Sequence, residues 1–478
     1  MGGLFSSLNS SLDAIESYES ALNVSQNNVS NASTPGYASQ TATLEALPFD
    51  PSSGLSGGVQ TGPTQSTQNQ YADQAVRSQL EQQGYYNSQS TALSSIQSLF
   101  DVTGQTGVIG AVNNLLQSFS AWSTTPTSVS AQQAVLTSAQ AVAQNFQSAA
   151  ATLSQTTTGV NQQISSTVQQ INTLAASIQS DNIAIQQGDN TGETPDAGLE
   201  ANLSASLDSL SQLVNTTVTY APDGTATVLI GGQTPLVMGT QLYSVQASFV
   251  DQAAPVNPDA IPDAHILDSQ GNDITSQISQ GSLGGLLYVR NSVLPALRGD
   301  GQQQGALNQL AQTLADSVNG ILTSAQTPGG QPGTALFTYS SASPVDVAST
   351  LTLNPNISAS TLAPAQPGAD NGAALELSNL GNSTAPSDQI SGQTILQFMD
   401  GMATQAGQQV SDAQSGENLH TQLLTQAQAL QTQIEGVSLD GEAVQVMELQ
   451  KGFQAAGQMV SVIDNLTLEL INMATPQA

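Results

Sequence analysis

Cysteine is absent from all 478 residues, so disulfides, thiolate zinc sites and thiol catalysis are excluded and the redox compartment stays undetermined. Cations are nearly absent as well: 4 Lys and Arg stand against 35 Asp and Glu, for a formal net charge of −31. Such a chain repels nucleic-acid phosphates and anionic lipid headgroups, so no nucleic acid and no membrane is expected as a partner. Charge of either sign is scarce, at 8% of residues, which leaves Gln, Ser, Thr, Asn and Gly to cover the surface. No apolar run approaches a membrane span. No Lys or Arg precedes Arg77 and no continuous apolar core opens the chain, so no secretory signal peptide is expected.

Catalytic chemistry has little to stand on. There are 2 histidines. His420 lies among polar helix residues and reads as a solvated surface group, while His265 borders a strand and reads as structural. A Ser-His-Asp set assembled from so many serines has no spacing to support it. The segment from Asp268 to Asp273 lacks the EF-hand spacing, its sixth-position Gly and its closing Glu, so it reads as a turn. The glycine clusters GLSGG and GSLGG fit neither a Walker A nor a dinucleotide pattern. Arg290 and Arg298 share one helix face, suited equally to pairing with carboxylates of a neighbouring helix or to solvent. The expectation is a non-enzyme with no cofactor, no metal and no catalytic residue.

What the chain does have is helical periodicity at both ends. Phe5, Leu8, Leu12, Ile15, Leu22 and Val29 fall on spacings of three and four, with Glu19 and Gln26 filling two seam positions. The helix is expected to fail at Asn27 and Asn28, because Asn competes for backbone hydrogen bonds, and Pro35 biases Thr34 away from helical angles. Thr34, Pro35, Gly36 and Tyr37 read as a type II turn, with Pro presetting the first central φ and Gly accepting a positive second one. Near the other end Val446, Leu449, Phe453, Ala456, Val460, Ile463 and Leu470 repeat the seam. Two such seams invite each other, either as an antiparallel pair within one chain or as a seam completed by neighbouring copies.

Between the ends, 478 residues suffice for about three ordinary domains. Residues 41–65, rich in Gly, Pro and Ser, read as a linker or irregular loop. Helix is expected from about Ser66, carrying Tyr71, Ala75, Leu93, Ile96, Leu99 and Phe100 and weakened at Gly84, with DVTGQTG breaking it. A short helix with Val112, Leu115, Leu116, Phe119 and Trp122 follows. Then comes the longest periodic segment, Ser130 to Gln187, opened by a Ser130 and Gln133 capping box and closed by Gly188, roughly 80 Å of helix at 1.5 Å per residue. Leu203, Leu207, Leu210 and Val214 supply one more helix. From Thr216 to about Gln280 the period switches to two, with Asp223 and Gly224 marking a hairpin. Helix returns from about Leu286 with a kink or break at Pro295, then continues through Leu307, Leu310, Leu314, Val318 and Ile321. Residues 326–390 read as an irregular insertion with short strands near Leu336–Phe337 and Leu351–Leu353, and helix resumes from Thr394 to about Ile434.

The fold expected is therefore mainly α with β insertions: paired terminal helices as a coiled-coil-like core, a long helical rod and a small β-rich outer module. The boundaries are a terminal helical assembly domain at 1–65 and 437–478, a rod at 66–215, 281–325 and 391–436, a β-rich module at 216–280 and the insertion at 326–390.

LNVSQNNVSNASTPGY, with Asn27, Asn28, Asn31, Thr34, Pro35, Gly36 and Tyr37, resembles the N-terminal motif of the bacterial flagellar axial proteins, the rod, hook and hook-associated family. GEAVQVMELQKGFQAAGQMVSVIDNLTLELI resembles its C-terminal motif. The match departs at Ala38 and Ser39, where members often carry Ser-Arg. GSLGGLLYVRNSVLPALR, LNQLAQTLADSVNGIL and LSQLVNTTVTYAPDGTATVLIGGQTPLVMG resemble the members at the hook–filament junction, and residues 326–390 match only loosely. The resemblance implies that both termini form the helical core of a tubular assembly, through Phe5, Leu8, Leu12, Ile15, Leu22, Val29, Val446, Leu449, Phe453, Val460, Ile463 and Leu470. It implies a ring or tube of copies of this chain, with the hook protein, the next junction protein and an export chaperone as partners. It places the chain outside the cell in the flagellum, exported without a cleaved signal. The hook protein itself is the runner-up, and an exported adhesin or enzyme on a flagellar core is the alternative from another class. An assembly of subunits each at −31 repels itself, so an acidic medium that neutralises carboxylates is expected to favour it.

Overall fold

The computed structural model describes residues 2–50, 55–97, 99, 106–191, 196–249, 263–300, 303–340 and 342–474. Phe100 and most of the expected break after it, Asp101 to Gln105, lie outside the described residues. The architecture is mainly α with small antiparallel β insertions.

Helix α1 (Gly2–Asn31) runs four residues beyond the expected stop at Asn27 and Asn28. The Asn28 amide is spent on other elements instead of its own helix, and Asn31 Nδ2 donates to the Asn27 carbonyl at 3.1 Å, holding the last turn. Thr34 to Tyr37 then forms the expected turn: Tyr37 N–H donates to the Thr34 carbonyl at 3.2 Å and Gly36 sits at φ +76°. Residues 41–50 and 55–65 are not a linker. They form a long antiparallel hairpin of β1 (Gln40–Asp50) and β2 (Leu55–Ser66), with an irregularity between Ala42 and Leu44. The alternating Thr, Leu, Val and Gln side chains lie within the same stretch as Pro48, Pro63 and four glycines, and the backbone ladder, which composition does not reveal, outweighs the breakers.

Helix α2 (Gln70–Gln97) is continuous through Gly84, which is where it meets the last turn of the helix over Ala197–Leu213: a Cβ there would lie 2.1 Å from the Gln212 carbonyl oxygen. Its buried face carries Ala72, Val76, Leu93 and Ile96, whereas Tyr71 and Ala75 point to solvent. Helix α3 (Gly107–Thr124) buries Val112, Leu115, Phe119 and Trp122 as expected, and Trp122 Nε1 donates to the Pro126 carbonyl at 3.1 Å.

Helix α4 (Val129–Thr191) has 63 residues, about 95 Å at 1.5 Å per residue. It starts from Ser128, whose Oγ accepts the Ala131 N–H, instead of Ser130, and it passes through Gly188 to end at Thr191. Val135, Val142, Phe146, Ala149, Leu153, Val160, Ile164, Val168, Ile171 and Ile178 are all buried along one stripe. Helix α5 (Ala197–Leu213), capped by Asp196, folds back along it.

A four-stranded antiparallel meander follows: β3 (Thr216–Tyr220), β4 (Ala226–Ile230), β5 (Thr234–Met238) and β6 (Gln241–Leu242). The first hairpin turns at Asp223 and Gly224, with Gly224 at φ +82°. Asn182, wholly buried on α4, clamps this sheet by donating to the Ala226 and Gly239 carbonyls and accepting the Ala226 N–H at 2.8 Å. Strands β7 (Gln246–Ser248) and β8 (His265–Leu267) pair antiparallel beside it. His265 Nδ1 lies 2.8 Å from Asp273 Oδ2, and Asp268 Oδ1 accepts the N–H groups of Gln270 and Asn272, so the Asp268 to Asp273 segment is a turn closed on its own backbone.

Helix α6 (Gly281–Tyr288) begins ahead of Leu286 and passes through a π turn over Val289–Val293 into α7 (Leu294–Arg298). Pro295 does not break this run: the wider turn, closed by Leu294 N–H on the Val289 carbonyl, accommodates a residue that has no donor. Arg290 is not on a solvated face. It is buried, and its Nε donates to Asn161 Oδ1 on α4 at 2.8 Å. Helix α8 (Ala306–Ser324) buries Leu307, Leu310, Leu314, Val318 and Ile321. The short strands β9 (Phe337–Thr338) and β10 (Thr352–Leu353) pair where expected, flanking α9 (Val347–Thr350), and α10 (Gly372–Asn379) adds a helix that residues 326–390 did not signal. Leu336, Phe337, Leu351, Leu362, Ala373 and Leu377 join the same buried cluster as α3, α4 and the meander.

Helix α11 (Ile395–Glu435) starts from a Thr394 and Gln397 capping box and lies antiparallel to α2. His420 is correspondingly half-buried, stacked 5.4 Å from the Tyr86 ring with Nδ1 3.0 Å from Gln79 Oε1, and not a free surface group. Helix α12 (Leu439–Ala474) returns antiparallel beside α1.

Candidate assembly interface

The two terminal helices do pack on each other, but through residues other than most of the expected seam. On α1 the buried positions are Ser17, Ala21, Ser25 and Asn28, and on α12 they are Glu442, Leu449, Ala456 and Ile463, spaced by sevens. Ala21, Leu449 and Ala42 of β1 form a small core of their own, with Tyr18, Leu22 and Val24 against it. Tyr18 lies over Gly452, where a Cβ would come within 2.7 Å of the ring. Small and polar residues let α1 approach both neighbours closely: Ser10 Oγ donates to the Gly57 carbonyl and Ser17 Oγ to the Val59 carbonyl of the hairpin.

Asn28 ties three segments together. Its Nδ2 donates to the Gln40 carbonyl and to Glu442 Oε1, both at 2.7 Å, and its Oδ1 accepts the Gln40 N–H at 2.9 Å and the Tyr37 hydroxyl at 2.8 Å. Ser25 Oγ donates to the other Glu442 oxygen at 2.5 Å. A buried carboxylate is thereby held by two donors with no cation beside it among the described residues. Burial raises the Tyr37 hydroxyl pKa, with the nearby Glu442 and Glu200 charges adding to it. The turn is placed against the body by Gly36, where a Cβ would lie 2.6 Å from the Ala201 carbonyl of α5.

A second node joins the terminal pair to the body where two chain crossings meet. The Glu435 carbonyl accepts the Ser39 N–H at 2.8 Å and the Thr67 hydroxyl at 3.2 Å, and its carboxylate accepts the Asn69 N–H at 2.6 Å. Asp73 stands beside it, receiving Gln431 Nε2 at 2.6 Å and Gln68 Nε2 at 3.0 Å. Burial, with the Asp73 charge, lifts the Glu435 carboxyl to about 7. Burial also lifts Glu81 to about 7 where α2 meets β3, although it accepts the Thr216 N–H at 2.8 Å.

Of the residues in the expected seam, Leu449 and Ile463 are buried, and Leu8, Ile15, Leu22, Val446 and Val460 are half-buried. Phe5, Leu12, Val29, Phe453 and Leu470 are exposed in the free chain, Phe5 by 59%. Val444, Met447, Met459, Val462, Leu466, Leu468, Ile471 and Met473 are exposed alongside them. Asn28 and Tyr37 enter the tertiary network, Asn27 and Asn31 bond to each other at 2.6 Å, and Thr34 and Pro35 lie at the surface. Sequence reading missed Ser17, Ser25, Glu442 and Glu435. A stripe of small polar residues at helical spacing was the available signal for the first two, and it is the pattern that ordinarily marks a wet face.

Residues 93–337, just over half of the chain, match the model of the flagellar hook-associated protein FlgK helical domain. The chain belongs to the flagellar hook-associated protein FlgK family. The match takes in α3 to α8 together with the meander, including all three middle stretches singled out in the sequence. Flagellar hook-associated protein 1 of Bacillus subtilis (strain 168) is 26% identical over 518 aligned residues, 99% of each protein. The solved structure of the flagellar hook junction protein FlgK from Burkholderia pseudomallei shares the fold, with a TM-score of 0.62 at 16% identity, covering 77% of this chain and 100% of that one. The FlgK family is structural, not enzymatic. The interface to explain is therefore a packing surface, and this FlgK-family chain presents its uncovered apolar side chains mainly on α1, α11 and α12.

Proposed function

We propose that this FlgK-family chain is an exported structural subunit of the junction between flagellar hook and filament, acting by helix packing with neighbouring copies in a ring or tube. The terminal helices and hairpin, 1–65 and 437–478, form the assembly unit, and the body between them stands outside it. Contacts to the hook protein on one side and to the next junction protein on the other follow from that position, as does an export chaperone that shields the unit before assembly. The observation that carries this reading is the uncovered apolar surface on an antiparallel pair that buries only a small core of its own. Soluble chains rarely leave such stripes open without a partner.

Removing the chain from the bacterium that makes it tests the reading. Hooks that shed flagellin into the medium and carry no filament are the expected phenotype. Filaments of normal length still attached to hooks would overturn it.

A further inference from the structure

The terminal unit meets the body through a narrow joint. Its core of Ala21, Ala42 and Leu449 is separate from the large buried cluster that unites the rest of the chain. Among the described residues no helix or strand of the unit packs along a helix or strand of the body. The chain passes between the two parts twice, from β2 into α2 at 66–70 and from α11 into α12 at 435–439. Beside these crossings the unit rests on α5, with Gly36 against Ala201 and Ser66 hydrogen-bonded to Glu200. A link of that kind lets two rigid parts turn about it when nothing fastens the crossings to each other.

Glu435 is what fastens them. Its carbonyl takes the Ser39 N–H and the Thr67 hydroxyl, and its carboxyl takes the Asn69 N–H. The same carboxyl hydrogen-bonds the side chain of Asp73, and the two residues are 6% and 1% exposed, so water cannot screen them from each other. A hydrogen bond between two carboxyl groups requires a proton. Asp73 accepts Gln431 Nε2 and Gln68 Nε2, which favours its ionised form and leaves the proton on Glu435.

No counter-ion stands ready for the second charge. Arg77 reaches Asp73 only at 3.7 Å, because its Nε is committed to Asp208 of α5 at 2.9 Å and its Nη1 faces the Tyr220 hydroxyl of β3 at 3.5 Å. The crossing strands supply Ser39, Thr67, Gln68 and Asn69, and α11 supplies Gln431, all uncharged. Across the joint, α5 brings Glu200 with Asp196 beside it, next to Tyr37, which faces the Glu442 charge of α12. Every titratable neighbour except Arg77 is an acid.

We propose that Glu435 and Asp73 form a proton latch: one proton shared between them holds the terminal unit at a fixed angle to the body, and its loss to solvent frees the unit to swing about the crossings at 66–70 and 435–439. The latch operates in the free chain, before any assembly.

Absence of cysteine makes the test clean, since paired spin labels go only where they are placed. Asn9→Cys on α1 with Ser180→Cys on α4 spans the joint; Asn9→Cys with Gln454→Cys lies within the unit, and Thr91→Cys with Ser180→Cys within the body, all at exposed positions. Burial, then the Asp73 charge, raises the Glu435 carboxyl to about 7. At pH 5 and pH 9 the proton is therefore present or absent in all but roughly one chain in a hundred. The pair across the joint is expected to give a narrow distance distribution at pH 5 and to lose the narrow peak at pH 9, while both internal pairs and Trp122 emission stay unchanged. Glu435→Gln, whose amide donates to Asp73 at any pH, is expected to keep the narrow peak at pH 9, and Glu435→Ala to lack it at pH 5. Equal distributions for the wild type at both pH values, or a Glu435→Gln chain that broadens as the wild type does, would overturn the latch. Broadening of an internal pair together with the pair across the joint would overturn it too, by showing local unfolding where a swing is expected.

Discussion

Replacing Leu449 by Asp leaves the body folded and abolishes incorporation into the flagellum. Leu449 is the one large apolar side chain in the small core it shares with Ala21 and Ala42. An ionised carboxylate placed there has no cation to meet, and it joins Glu442, already buried one heptad away, so several kcal/mol of desolvation and repulsion fall on a unit with little burial to offset them. The α1–α12 pair opens while α3 and α4, whose core is separate, stay packed. Trp122 reports on that separation because it is the chain's 1 tryptophan and is wholly buried in the body. Unshifted Trp122 emission with no incorporated protein is the expected outcome. Leu449→Ala, which leaves a cavity and no charge, costs about 2 kcal/mol and weakens incorporation without abolishing it. Normal incorporation of Leu449→Asp would count against the terminal pair as the assembly unit.

The free subunit is expected to lose stability as pH rises through 7. Glu81 and Glu435 have folded-state pKa values of about 7 against 4.5 for the ordinary carboxyl. The folded state therefore binds these protons more tightly than the unfolded one. Their contribution is complete below about 4.5 and fades as pH climbs through about 7, on the order of 2 kcal/mol for each group after allowing for solvent screening. Repulsion within a chain of charge −31 acts in the same direction. Asp223, Asp268 and Asp273, held low by hydrogen bonds from their own turns, act the other way, but all three lie at the surface. Denaturant midpoints at pH 5 and pH 8 check this, with Glu81→Gln plus Glu435→Gln expected to flatten the difference. A midpoint higher at pH 8 in the wild type would refute it. Glu435 sits where the terminal pair joins the body, so its deprotonation is expected to weaken that joint.

The elements most legible in the sequence were those whose burial follows one unbroken period. The α4 stripe from Val135 to Ile178 is buried position by position, because a helix that long turns one face to the core throughout. Its ends were misplaced: the helix continues through Gly188 to Thr191, and Ser128 caps where Ser130 was expected. The hairpin at 40–66 was hidden because its stability resides in backbone pairing between residues that composition assigns to loops. At the terminal pair the apolar seams lie on the two helices that pack on each other, yet the chain's own contact uses Ser17, Ser25, Asn28 and Glu442 and leaves Phe5, Leu12, Phe453 and Leu470 outside. Hydrophobic periodicity locates surfaces that want covering. It does not say whether the same chain or another copy covers them.

Amide hydrogen exchange on the free chain and on the assembled junction tests the central claim most directly, since uncovered helices of a marginal unit open readily and assembled ones do not. The expected result is a large gain in protection over residues 2–31 and 439–474 on assembly, with α4 unchanged. Equal exchange at the termini in both states, or a gain confined to the body, would contradict the account.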